Sequence, residues 1–261
     1  MNLAFAHSLH GEWLKQRRSL ALWMVVIGAF FTPAIIVVAR LLQHARLPAL
    51  YASAGFWESL WRSSWESAAI FFLPMGAILA TSLVTQIEFR NNAWKQVHAL
   101  PLGTATIYFS KLAILVLMLA LWFVLFNLGI YLSAVLPWLL VPGVPYPASP
   151  LPLGAFLRED LAYVIDCLPI VALQYLVSLR FANFLVPVGA GFMLWVGTLG
   201  AISWRWGFLS PYGYTILQYL QGEPVTRAAV PAIDIHVMAI AYFVLFTALG
   251  YLLFATRRRK G

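Results

Sequence analysis

Long uncharged runs separated by short charged ones set the pattern of this chain. Residues 19–39, 67–87, 112–157, 181–204 and 235–256 contain no Asp, Glu, Lys or Arg, in runs of 21, 21, 46, 24 and 22 residues. Each can cross a hydrocarbon core as a helix, which takes about 20 apolar residues. In the longest run the helix is expected over 112–136, because Pro137, Pro142, Pro145, Pro147, Pro150 and Pro152 then break it. A further segment, 161–179, is apolar apart from Asp166 and is interrupted by Pro169. The pattern predicts an all-α polytopic membrane protein with six transmembrane helices spread over residues 19–261. Pro33, Pro74, Pro169 and Pro187 fall inside four of the predicted spans and should kink them.

Two segments outside the spans are amphipathic. In residues 1–18, Phe5, Leu9 and Trp13 recur at helical spacing with Leu14 beside them, while His7, His10, Glu12, Lys15, Gln16 and Arg17 lie largely around the other face. This suits a helix lying in the membrane interface, or a short cytoplasmic helix with a basic stop before the first span. Between the second and third spans, residues 88–104 place Phe89, Ala93, Val97 and Leu100 on one stripe, with Trp94 at its margin and Arg90, Asn91, Lys95 and His98 on a polar flank. Pro101 ends that helix. No other cytoplasmic loop is of comparable size, so it is the expected docking surface for a cytosolic partner.

Composition agrees with the membrane reading. The chain is 62% hydrophobic and 10% charged, against roughly 45–50% and 25% in soluble domains. Its net charge of +8 is explained by location rather than by nucleic acid, for which no partnership is expected. With the N-terminus inside, 11 of the 17 Lys and Arg fall on the inner face, including the tail 257–261, and seven of the nine acids on the outer face. That asymmetry places both termini in the cytoplasm. Trp57, Trp61, Trp65, Trp138, Trp204 and Trp206 cluster near the outer boundaries, as expected of rings at a headgroup interface. Gly189, Gly191, Gly197 and Gly200 in the fifth span would permit close helix approach within the subunit or across a dimer seam.

The order of an amphipathic N-terminal helix, a second span ending in Glu88-Phe89-Arg90, an amphipathic loop closed by Leu100-Pro101, and Lys111 opening the third span resembles the permease subunits of type-2 ATP-binding-cassette (ABC) transporters. In that family the pattern Glu-(Tyr/Phe)-x-x-Gly-Thr-x-(Lys/Arg)-x-Leu-x-x-x-Pro marks a coupling helix seated in a groove of the ATPase. Glu88, Phe89, Lys95 and Pro101 match it, whereas Asn92 and Ala93 replace Gly-Thr and Val97 replaces Leu. The resemblance implies a cytosolic ABC ATPase partner that binds ATP and magnesium, a second permease subunit, identical or related, and residence in the cytoplasmic (inner) membrane among its lipids. It also implies export of a peptide, drug, lipid or polysaccharide. Glu88, Phe89, Arg90, Trp94, Lys95, Val97 and Leu100 are the implied ATPase-binding residues.

No chemistry of the chain's own is expected. There is no G-x-x-x-x-G-K-[ST], H-E-x-x-H, C-x-x-C or G-x-S-x-G, and the one Cys and five scattered His suggest no metal or haem site. Asp166 is the clearest intramembrane charge: either hydrated or locally paired near the outer boundary, which is the favoured reading, or part of a substrate or proton path. Two rivals to the permease reading are an ATP-independent secondary transporter or channel using Asp166, and a membrane enzyme or assembly factor using the outer acids Glu58, Glu66, Glu159 and Asp160.

Overall fold

The computed structural model describes residues 3–90, 102–222 and 234–258. Among them every regular element is helical. α1 (Leu3–Gln16) precedes α2 (Leu20–Leu42), whose start is fixed by Ser19 accepting a hydrogen bond from the Leu22 amide. A short α3 (Leu47–Tyr51) leads to α4 (Phe56–Ser67), which continues through a π-helical turn (Ala68–Phe72) into α5 (Leu73–Arg90). Then come α6 (Thr104–Leu140), α7 (Leu153–Arg180), α8 (Leu185–Ala201), α9 (Tyr214–Gly222) and α10 (Ile235–Arg258).

Among the described residues, five helices are long and apolar enough to cross a membrane: Leu20–Leu42, Phe56–Phe89, Thr104–Leu140, Leu153–Arg180 and Ile235–Thr256. The expected fifth span is shorter than the uncharged run suggested. α8 has 17 residues, about 26 Å at 1.5 Å per residue, a little less than a 30 Å hydrocarbon core. After it the chain turns through two short 3-10 segments and re-enters the bundle as α9. The second and third spans extend beyond their expected limits. Trp57, Trp61 and Trp65 recur every four residues, so α4 buries one indole face and carries Glu58, Arg62 and Glu66 on the exposed side. Pro137 is accommodated in the last turn of α6.

α5 lies at the centre, against α2, α7 and α8, while α2 also packs along α6 and α10 along α7. The α2–α6 approach is close at Gly129, where an added Cβ would stand 2.8 Å from Pro33 Cγ. α2 and α10 present mostly apolar, outward-facing sides, with Leu20, Trp23, Ile27, Val237, Val244 and Leu252 exposed, as lipid-facing helices do. One group of inner polar side chains is satisfied across helices. Gln174 donates to Ser82 Oγ (2.9 Å) and the Pro187 carbonyl (2.7 Å), and Tyr212 donates to Gln174 Oε1 (3.2 Å). Two carbonyls of the π turn accept from other elements, Ala69 from Thr215 and Ile70 from Trp195, consistent with side chains entering a helix ladder at such a turn.

Three sequence expectations change. Trp57, Trp61 and Trp65 are buried among other rings rather than held at a headgroup interface, whereas Trp138, Trp204 and Trp206 are exposed. Pro187 falls in the first turn of α8, where no helical amide is lost, so it has no kink to make. The four glycines of the fifth span divide: Gly191 packs within the subunit, with Gln174 and Ile78 too close to admit a Cβ, and Gly189, Gly197 and Gly200 face open space.

Candidate functional site

The end of α5, the start of α6 and the whole of α1 meet at one buried ion cluster. Lys111 Nζ lies 2.6 Å from Glu12 Oε2 and 3.1 Å from Glu88 Oε1, and Lys15 Nζ lies 2.7 Å from Glu12 Oε1 and 2.8 Å from the same Glu88 oxygen. Lys111 and Glu88 side chains are each 1% exposed. Unpaired, either ion would be costly to bury; two acids and two bases make the group neutral and give each ion a charge-assisted partner.

Local spacing builds this geometry. Glu12 and Lys15 stand one turn apart on α1, so one face of that helix offers both an acceptor and a donor. Ser8, one turn earlier, lies 2.8 Å from Ser110 and aligns α1 along α6. The sequence had given the polar side of α1 to solvent. Instead Glu12 and Gln16 are the buried positions, Leu9 and Trp13 pack at the core margin, and Leu3 and Leu14 stay exposed. Desolvation lowers the Lys15 ammonium, but the Glu12 carboxylate, helped by Glu88, outweighs it and holds Lys15 above its ordinary value of 10.5.

A tyrosine tie continues from the cluster into the bundle. Tyr108, one turn before Lys111 on α6, donates to the Thr247 carbonyl of α10 (3.1 Å), and its own carbonyl accepts from Tyr175 of α7 (3.2 Å). The termini of α1, α5 and α6 are thus joined to α7 and α10 by directed polar contacts.

Of the residues proposed from sequence, Glu88 is not an exposed orienting charge; it is spent inside the cluster. Phe89 is half-buried at the end of α5, and Arg90 closes that helix. Trp94, Lys95, Val97 and Leu100 lie outside the described residues. Asp166 is fully buried in α7 and, of the two forms expected, is locally paired rather than hydrated: its Oδ1 lies 2.8 Å from His236 Nδ1 at the start of α10. The roles of Glu12, Lys15 and His236 were missed. One signal was available: Glu12 and Glu88 are the only acids assigned to the inner face, and both belong to the cluster.

A family model described as ABC-2 family transporter protein matches residues 8–198, from Ser8 on α1 into α8, and so covers all four ions of the cluster. The chain belongs to the ABC-2 family of transporter proteins. No curated protein matches it. As an ABC-2 protein it is a multi-pass membrane permease component, and its family implies a cytosolic ABC ATPase as partner.

Proposed function

We propose that this chain is the permease of an ATP-driven exporter and that residues 88–104 transmit motion from a separate ATPase. The supporting observation is the Glu12–Lys15–Glu88–Lys111 cluster at the base of that segment. Displacing the segment pulls on Glu88, and Glu88 cannot move alone without exposing or unpairing a buried ion. The motion passes to α1 and α6 and, through Tyr108, to α7 and α10. The permease itself performs no ATP chemistry; ATP and magnesium belong to the partner. Differential binding of residues 88–104 to the two ATPase states supplies the energy for the change.

In this reading the protein crosses the inner membrane six times with both termini cytoplasmic, α1 lies at the inner interface, and the polar-free side of α8 meets a second permease. Leu185, Gly189, Phe192, Val196 and Gly200 share one exposed face there. Co-expression with the cognate ATPase should yield a complex whose ATP turnover rises with a transported compound. Failure to co-purify with any ABC ATPase would refute the reading. Reporter fusions after Gly261 and within 141–149 should report opposite compartments.

The buried Asp166–His236 pair favours a second reading, an ATP-independent proton-coupled carrier. Transport that persists without any ATPase and is lost in Asp166→Asn, with the protein still folded in the membrane, would support it.

A further inference from the structure

At the end of the bundle opposite the ion cluster, α4, the start of α7 and α9 line an open cavity of about 1060 Å³, large enough for a drug-sized molecule. Paired rings, showing only their edges, lie at its floor beneath a rim of polar and small residues. Trp61 stacks on Phe156 with centroids 4.0 Å apart, and Trp65 stacks on Tyr163 at 3.8 Å. Spacings of four residues on α4 and seven on α7 put the two pairs side by side. Glu159, between Phe156 and Tyr163 in sequence, accepts a 2.6 Å hydrogen bond from Trp61 Nε1. Glu58 lines the same cavity one turn before Arg62, and Arg62 donates to the Gly222 carbonyl.

This lining selects among ligand classes. Among the described residues, two exposed carboxylates against one guanidinium disfavour phosphate and carboxylate ligands. Rings paired with one another offer an apolar floor but fewer free faces for a sugar to stack on. We propose that the cavity binds an amphipathic organic cation, its charge set between Glu58 and Glu159 and its apolar body against Trp61, Phe156 and Tyr163. As a docking site for cargo this rests on the transporter reading; the binding itself does not.

The test uses the full-length permease in lipid nanodiscs, without ATPase, titrated with ethidium and followed by fluorescence anisotropy. Because no ATPase is present, failure here is distinct from failure of ATP coupling. Saturable binding is expected, weakened roughly tenfold in the Glu58→Gln/Glu159→Gln double variant through loss of both charge-assisted contacts. Uncharged phenanthridine should bind more weakly than ethidium. Ala155→Trp, which fills the cavity from its exposed wall, should abolish binding while thermal unfolding of the protein stays unchanged. Ethidium uptake equal to that of empty nanodiscs, or undiminished affinity in both the double variant and Ala155→Trp, would overturn the assignment.

Discussion

The two ends of the bundle bury charge in opposite styles. At the α1 end, four ions share one neutral cluster in which Glu88 serves two lysines and Lys111 serves two glutamates. At the far end three buried or part-buried ions, Arg40, Asp160 and Asp166, have partners that are neutral or titratable. Arg40 donates to the Ser133 carbonyl (2.9 Å) and lies over the Phe56 ring, 4.9 Å from its centroid; Asp160 accepts from Asn127; Asp166 pairs with His236. An interlocked cluster resists piecemeal change, because removing Lys111 or Glu88, each 1% exposed, leaves a net charge at a buried position. Isolated groups can be exchanged or hydrated one at a time. The first arrangement suits transmission of force between helices, the second a region bordering a cavity.

The largest effect should come from Lys111→Met. It leaves Glu88 and Glu12 with Lys15 alone and a surplus negative charge, a loss of about 3–5 kcal/mol for a buried pair broken from one side. Thermal unfolding of the purified protein should fall sharply, and Glu88→Gln on top of Lys111→Met should recover part of the loss by restoring neutrality. A double variant no better than the single one would show that the cluster's balance is unimportant.

Next is Trp94→Ala, expected to cost roughly 2 kcal/mol of ATPase affinity if the indole is a central anchor, with Lys95→Ala costing much less as a rim charge. Pull-down of the ATPase, normalised to permease in the membrane, compares them. Equal recruitment by both variants would make Trp94 a membrane anchor instead.

A small effect is expected from Asp166→Asn, which keeps an oxygen facing His236 and removes only a charge; ATP turnover of the assembled complex should stay near the wild-type level. The smallest concerns pH. Because the folded ammonium of Lys15 titrates above 10.5, its contribution is complete at neutral pH and is lost only as pH rises through that higher value. Unfolding temperature should therefore show no step from Lys15 between pH 6 and 9, which a melting series would reveal.

How far the sequence could be read follows from the length of each signal. Five uncharged runs and the nearly uncharged segment 161–179 located the six apolar helices, because burial in lipid demands many consecutive residues. The boundaries slipped where helix continues beyond the uncharged run: the tryptophan stripe of α4 was read as three separate interface anchors, although its four-residue spacing is itself a helix signal. α9 escaped notice because its buried positions, Tyr214, Thr215, Ile216 and Leu217, form a short contiguous block without periodicity. Lys111 and Glu88 were recognised through the family pattern, yet their pairing depends on helices 23 residues apart in sequence and on α1 arriving with its polar face inward. Likewise His236 lies 70 residues from Asp166, a distance over which sequence spacing carries no contact information.

The central claim, that the ion cluster relays ATPase motion, is tested most directly by a double-mutant cycle on Glu88 and Lys111 read as transport per ATP hydrolysed, with ATPase binding measured in parallel. The account predicts that Glu88→Gln and Lys111→Met each lower this ratio while the ATPase remains bound, and that the double variant recovers part of it. Single variants that bind the ATPase and keep the wild-type ratio would contradict it.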